Sequence, residues 1–230
     1  MYSKREILYR DISIGNVCFL EYGSKTICKP IDFDHATHFG MRTSTSEATN
    51  HSGTAPFMAC EVLDTNPEGY VRRLHHDFES VLYMCVWHAF GFTFDDIPDK
   101  NHPINNWRAG SWKDKFVAKI YFTSAFSHGS AILGTVTDEI HKGKCKKLLS
   151  AFYYASKKND ELHNAYESKR VEIDRDERVA WDKVNPPPEK YARYAMFPTI
   201  MESLGHKANA CTEDCCVQPM SPMTHRASYS

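Results

Sequence analysis

Leu8-Tyr9-Arg10-Asp11-Ile12-Ser13-Ile14-Gly15-Asn16 sets an Arg-Asp pair and, after four intervening residues, an asparagine. Taken alone, Asp11 reads as a turn or capping residue, because a short carboxylate readily bonds nearby backbone N–H groups. Its surroundings change that reading. Val17–Leu20 is a short apolar run, Glu21–Lys25 a turn around Gly23, and Thr26–Phe33 a second run, which together predict a small β-hairpin. The hairpin exits through Ile31-Asp32-Phe33-Asp34 into His35–Ser52, a polar loop rich in Thr, Ser, His and Asn. Loops of that length in a compact domain are functional or disordered. Gly53-Thr54-Ala55-Pro56-Phe57-Met58-Ala59-Cys60-Glu61 follows.

Downstream the pattern turns helical. Asp77 is a good N-cap, Glu79 suits the positive end of a helix, and Phe78–Phe90 runs to a stop at Gly91. Val81, Leu82, Met84, Cys85, Val86, Trp87 and Ala89 cover nearly every face, so this helix is predicted to be buried all round, as the spine of the domain. Residues 92–110 form a polar connection. Trp112, Phe116, Val117, Ile120 and Tyr121 space a helix over Trp112–Phe126, and Cys145, Leu148, Leu149, Phe152 and Tyr153 one over Lys144–Ser156. Asp160–Lys183 reads as a separate, charged surface helix ended by Pro186-Pro187-Pro188. Tyr191–Leu204 has the pattern of a last helix, and Gly205–Ser230 that of a disordered tail. The fold class is α+β, mostly helical, with one domain over 1–204 (its stretch 160–185 on the surface) and a tail over 205–230.

Composition excludes several functions. The 28 Lys and Arg nearly balance 29 Asp and Glu, leaving a net charge of −1 and no footprint for nucleic acid or an anionic membrane. Residues 1–8 have no signal-peptide pattern, and the longest apolar run, within Val81–Phe90, is far short of a bilayer span. An intracellular protein, cytoplasmic or nuclear, is expected. Cys18, Cys28, Cys60, Cys85 and Cys145 are scattered singly, as buried free thiols are. Cys211, Cys215 and Cys216, with His206 close by, lack paired C-x-x-C spacing and read as a tail that contains cysteines rather than a zinc site.

The order of Arg10-Asp11…Asn16, Asp32-Phe33-Asp34, Gly53–Glu61 and Asp77 resembles the C-terminal lobe of protein kinases. More narrowly, the chain resembles the fungal-type protein kinase family in its Arg-Asp-Ile-Ser-x-Gly-Asn loop, its Asp-Phe-Asp motif, its Gly-Thr-x-Pro-Phe-Met-Ala-x-Glu segment and its His75-His76-Asp77-Phe78-Glu79-Ser80 run. The likeness is close over roughly residues 5–126 and loose beyond. It implies a kinase-like C-terminal lobe with a short hairpin at the catalytic site, ATP and Mg²⁺ as cofactors, and a protein substrate phosphorylated on Ser or Thr.

The resemblance also implies roles. Asp11 would orient the attacking hydroxyl, and Asn16 and Asp32 would offer oxygen ligands to Mg²⁺. Arg10 would pair with a phosphate on the activation segment, where Thr43, Ser44, Thr45, Ser46, Thr49 and Ser52 lie; plain flexibility is the other reading of that Ser/Thr-rich loop. Thr54 would bond Asp11 and favour Ser/Thr acceptors on a Gly53–Glu61 ledge. Glu61 would form a buried ion pair with a later arginine, for which Arg108 is a guess. Asp77 would cap its helix and hold the catalytic-loop backbone.

The sequence also departs from the pattern. Tyr9 stands for the usual histidine, as an aromatic filling the same space, and Ser13 for a phosphate-contacting lysine, as in the fungal group. Cys60 stands for a proline. Asp34 stands for the glycine of the metal motif, where backbone strain is expected. No G-x-G-x-x-G loop occurs anywhere, and no strand lysine with a helix glutamate can precede Asp11. The chain is therefore expected to be a fragment lacking the ATP-clamping lobe, inactive alone, with the apolar floor of the cleft and one flank of the spine helix exposed to a partner. Two other readings stay open: a non-catalytic, pseudokinase-like binding module, and a small-molecule phosphotransferase, against which the peptide ledge argues.

Overall fold

Leu82, Tyr83, Val86 and Trp87 are wholly buried, and the fold is arranged around the helix that carries them. The computed structural model describes residues 7–23, 25–38, 53–64, 72, 74–92 and 101–185. Within them the element order is β1 (Ile7–Leu8), β2 (Val17–Tyr22), β3 (Lys25–Pro30), β4 (Thr37–His38), α1 (Cys60–Leu63), α2 (Leu74–Ala89), α3 (Trp112–Ser124), α4 (Phe126–Gly134), α5 (Glu139–Glu172) and α6 (Arg178–Val184). Short 3-10 turns cover Ile14–Asn16, Ala55–Phe57 and Pro103–Trp107. The result is mostly helical with two small antiparallel ribbons, β1 with β4 and β2 with β3, consistent with an α+β class. The predicted activation-segment residues from Thr43 to Ser52, the Pro186–Pro188 stop, the helix over Tyr191–Leu204, the tail and its cysteines all lie outside the described residues.

The spine helix differs from its expected form in two ways. It begins at Leu74, so Asp77 sits inside the first turn instead of capping it. It is also not buried on every face: Val81, Met84 and Cys85 are only partly covered, leaving one flank of α2 less sheltered than the Leu82–Val86 side. Aromatic rings pack edge-on around the sheltered side, Trp87 on Phe57 at 5.7 Å and Tyr83 on Trp107 at 4.9 Å. Trp107 and Ile104 anchor the polar connection into the core, where the sequence suggested only a link.

α3 turns an unexpected face inward. Its apolar residues Val117 and Tyr121 are exposed, while Lys115, Lys119 and Phe122 are buried. The cause is polar: Lys119 Nζ donates to the carbonyl oxygens of Ala55 and Met58 and sits 4.3 Å from the Tyr83 ring centre, so the bonds of its ammonium set the helix rotation. α4 is additional to the predicted elements and packs closely on α5, where a Cβ on Gly129 would lie 2.5 Å from Leu149.

α5 is a single helix of 34 residues, not two. Its buried contacts end at Ala155, after which it continues into solvent. The expected charged helix over 160–183 is thus the outer half of α5, then a break at Ile173–Glu177, then α6. α6 folds back on α5 through an Arg170–Asp182 pair, with Nε–Oδ1 at 2.9 Å and Nη2–Oδ2 at 3.0 Å, and a Tyr166–Trp181 ring contact.

The cysteine expectation is also corrected. Cys60 and Cys145 are buried and Cys85 partly so, but Cys18 and Cys28 are exposed. Their partners across the β2–β3 ribbon are Lys29 and Phe19, which puts the two thiols on opposite faces of a two-stranded ribbon. No helix among the described residues is long and apolar enough to cross a membrane.

Asp77 is buried and accepts from the backbone N–H groups of Tyr9 and Arg10, at 2.8 and 3.0 Å. Asp77→Ala leaves both donors unpaired, so it is expected to lower the unfolding free energy by about 3 kcal/mol. Urea denaturation with an unchanged slope checks this; a loss below about 1 kcal/mol, the worth of an ordinary hydrogen bond, would show that Asp77 does not hold the loop.

Candidate functional site

The two bonds from Asp77 fix the chain just before Asp11. Arg10 is held there with φ +73°, a left-handed conformation that costs energy for a residue with a Cβ and turns the next residue sharply. The Arg10 carbonyl in turn accepts from Arg72 Nη1 at 3.3 Å. Burial raises the pKa of Asp77, and the two backbone bonds oppose that shift.

Asp11 emerges from this turn with its carboxylate gripped. Oδ1 accepts from Thr54 N at 2.7 Å and Thr54 Oγ1 at 2.8 Å. Oδ2 accepts from Asn16 Nδ2 at 2.9 Å, and the same amide donates to the Asp11 backbone carbonyl at 3.0 Å. Both amide hydrogens of Asn16 are therefore spent, and its Oδ1 remains as an acceptor. Of about four lone-pair positions on a carboxylate, three are used, which leaves one on Oδ2 for an incoming hydroxyl.

Gly53 makes the close approach of the ledge to this turn feasible. Its φ is +120°, and a Cβ there would lie 3.1 Å from the Arg10 carbonyl and 3.5 Å from Asp11 Oδ1. Any side chain would push Thr54 away from the carboxylate.

The hairpin carries Asp32 back to the same region. Ile31 N donates to the Asn16 carbonyl at 2.9 Å, closing the base of the ribbon. The Tyr9 hydroxyl lies between the carbonyl oxygens of Ile31 and Asn16, and its ring meets Phe33 edge-on at 5.2 Å. Burial and the carboxylates of Asp11, Asp32 and Asp77 push the Tyr9 hydroxyl up to about 12, so it stays protonated as a donor. Tyr9 is thus a tie between both halves of the site, a role that reading it as a space-filling aromatic missed; the signal was its hydroxyl. Asp32 has φ +60° and accepts from Asp34 N at 3.4 Å, so the left-handed residue of the metal motif is Asp32 and not Asp34 as expected. Its carboxylate and Asn16 Oδ1 are hard oxygen donors of the kind Mg²⁺ takes, and neither is used up by the bonds described, so the residues present fit that ion. The structure therefore brings Asp11, Asn16 and Thr54 into direct contact, with Asp32 one residue beyond the Ile31–Asn16 rung. The phosphate partner expected for Arg10 lies outside the described residues.

The ledge beyond Thr54 is held by groups that the motifs did not single out. Cys60 N donates to Glu79 Oε1 at 2.8 Å, and Tyr83 OH donates to the same oxygen at 2.6 Å. Glu79 therefore supports the start of α1 rather than the dipole of its own helix. Lys119 holds the Ala55 and Met58 carbonyls from the other side. Glu61 is bound by His75 and His76, whose Nε2 atoms lie 3.1 and 2.8 Å from Glu61 Oε2. Arg108, suggested as its partner, is exposed at the end of the Pro103–Trp107 turn. The bonds to His75 and His76 hold the Glu61 carboxyl far below its usual range, while burial pushes His76 down to about 4.

Residues 1–89 match the family model described as fungal protein kinase, the family that the motifs resemble. Comparison with curated proteins and with solved structures gives no match.

Lys119 offers a direct test of the ledge. Burial pushes its ammonium down to about 7 from an ordinary 10.5. Between those values the unfolded chain holds a proton that the folded chain lacks, so the stability of the wild type rises with pH across that window. Relative to Lys119→Met, the wild type should gain up to about 1.4 kcal/mol per pH unit above pH 7. Urea unfolding of both proteins from pH 6 to 10 measures the difference, and a flat difference would refute a desolvated ammonium.

Proposed function

We propose that this chain is the acceptor- and metal-binding part of a fungal-type protein kinase that transfers the γ-phosphoryl group of ATP to Ser or Thr of a protein. The observation that carries this reading is the Asp11 carboxylate, bound by Thr54 and Asn16 on three sides and left with one lone pair. A carboxylate in that setting cannot rotate. It accepts the hydrogen bond of an incoming hydroxyl along one direction, which orients the oxygen for attack and receives its proton as the O–P bond forms. Asn16 Oδ1 and Asp32 would hold Mg²⁺, which when bound neutralises phosphate charge.

Thr54 couples acceptor to catalyst. Its backbone and hydroxyl both reach Asp11, so a peptide lying on Gly53–Glu61 is registered against the base by the same residue that positions it. That coupling supports a protein acceptor over a small metabolite, and the Thr54 hydroxyl accords with Ser/Thr preference in the resembling kinases. These 230 residues contain no G-x-G-x-x-G loop, so we propose that groups of another kind grip the ATP phosphates.

One observation favours a second reading, a binding module without catalysis. Ile14, Ile31 and Phe33 surround the site with 41%, 41% and 39% of their surfaces exposed, an apolar floor suited to docking a partner as well as a nucleotide.

Transfer from labelled ATP with Mg²⁺ to a Ser/Thr-containing protein distinguishes these. The chain alone is expected to show none above background; the chain joined to an ATP-gripping lobe of this family is expected to be active. In that form Asp11→Ala should lower kcat by about 10³-fold or more. Absence of transfer in the joined form would favour the binding module, and label on a metabolite instead of protein would favour the small-molecule enzyme.

A further inference from the structure

Glu61, His75 and His76 gather two imidazole nitrogens and one carboxylate oxygen within 4.8 Å of one another. We propose that they form a structural site for a divalent metal of the zinc class, which pins the end of the ledge to the spine helix. Nothing in the phosphoryl-transfer reading uses these three groups as ligands.

The donor set is the first point. Two histidines and one carboxylate are a familiar three-ligand set for Zn²⁺, and the N₂O mixture suits a borderline ion better than Mg²⁺ or Ca²⁺, which prefer oxygen alone. The geometry is the second. Neighbouring residues on a helix point about 100° apart, yet His75 and His76, in the first turn of α2, direct Nε2 at one oxygen, with their rings 4.0 Å apart and 65° to each other. Ligand atoms on one tetrahedral zinc stand about 3.3 Å apart, given bonds of about 2.0–2.1 Å. The two observed N···O distances, 3.1 and 2.8 Å, need to open by only a few tenths of an ångström.

Surroundings and access are the third point. Both imidazoles are buried, at 2% and 0% exposure, so the packing of the helix holds their rings in place. The Glu61 side chain is 35% exposed and opens on a cavity of about 500 Å³ bounded by Asp64, Phe116, Ile120 and Asp160. That side gives a metal its entry path and room for a water as fourth ligand. Arg72 opposes a charge on His76, while Asp64, Glu79 and Asp160, beside Lys157, line the cavity on the side of Glu61.

Such a metal would join α1 to α2 directly. Binding to the folded state alone would raise its stability.

The test uses the full chain with Cys211, Cys215 and Cys216 replaced by serine, stripped with a chelator. Zn²⁺ is titrated by calorimetry, and Co²⁺ is read by its absorption. One equivalent of Zn²⁺ should bind and raise Tm, and Co²⁺ should show weak visible bands without the near-ultraviolet charge transfer of a thiolate. Glu61→Gln keeps the acceptor for both imidazoles but removes a charged ligand, and His75→Asn removes a nitrogen; each should weaken Zn²⁺ by about 100-fold or more. Equal affinity in the parent and Glu61→Gln proteins, a thiolate band with Co²⁺, or no stoichiometric binding would each overturn the site. Should His75→Asn not fold, Glu61→Gln and the cobalt spectrum decide alone.

Discussion

The carboxylate of Asp77, buried in the first turn of α2 and bonded to two successive backbone N–H groups, is the constraint on which the site depends. Peptide donors adjacent in sequence seldom point to the same group. Making them do so requires the turn that gives Arg10 its left-handed backbone. That turn aims Asp11 at Asn16 and Thr54, so a buried charge on the spine determines the direction of a carboxylate at the surface. Burying Asp77 is unfavourable to its charge, as its raised pKa reflects; the bonds to Tyr9 and Arg10 offset part of that cost. Strain at Arg10 and desolvation at Asp77 are both borne by the core around Leu82, Tyr83, Val86 and Trp87.

The same turn of helix extends this control to the ledge. His75 and His76 take Glu61, Glu79 takes the N–H of Cys60, and Asp77 takes the catalytic loop. Polar residues so concentrated at a buried helix start would be costly if unpaired. Here His75, His76 and Glu79 reach α1 and Asp77 reaches the Tyr9–Arg10 turn, so the start of α2 acts as a clamp on two segments. Lys119 completes it from α3, binding the Met58 carbonyl and the Ala55 carbonyl, which also accepts from Met58 N at 3.4 Å.

Much of this was legible in the sequence because the residues are close to their motif and chemically specific. Asp11, Asn16 and Thr54 meet where their order implied, and the hairpin between Asn16 and Asp32 is present. What was not legible depends on partners remote in sequence. Asp34 replaces a glycine, so strain was expected there, but the left-handed residue is Asp32 and Asp34 adopts an ordinary backbone. Apolar spacing placed Val117 and Tyr121 inside; the carbonyls of Ala55 and Met58, some sixty residues away, rotate Lys119 inside instead. The loss of apolar periodicity after Ser156 marked where α5 leaves the body, which a periodicity argument cannot distinguish from where a helix ends. For Glu61, charge suggested an arginine; two histidines only 14 and 15 residues away also bond its carboxylate.

The contacts that define Asp11 have a further property: every one comes from residues between Tyr9 and Asp77. Thr54, Asn16, Gly53 and Asp77 fix its direction without any group that touches nucleotide. A kinase divides its work between orienting the acceptor and clamping ATP, and these tasks need different atoms. Under the proposed reading, the bonds around Asp11 serve the first task alone. Ile14, Ile31 and Phe33 are exposed beside this network, and under the proposed reading a nucleotide or partner would pack on them through shape and burial.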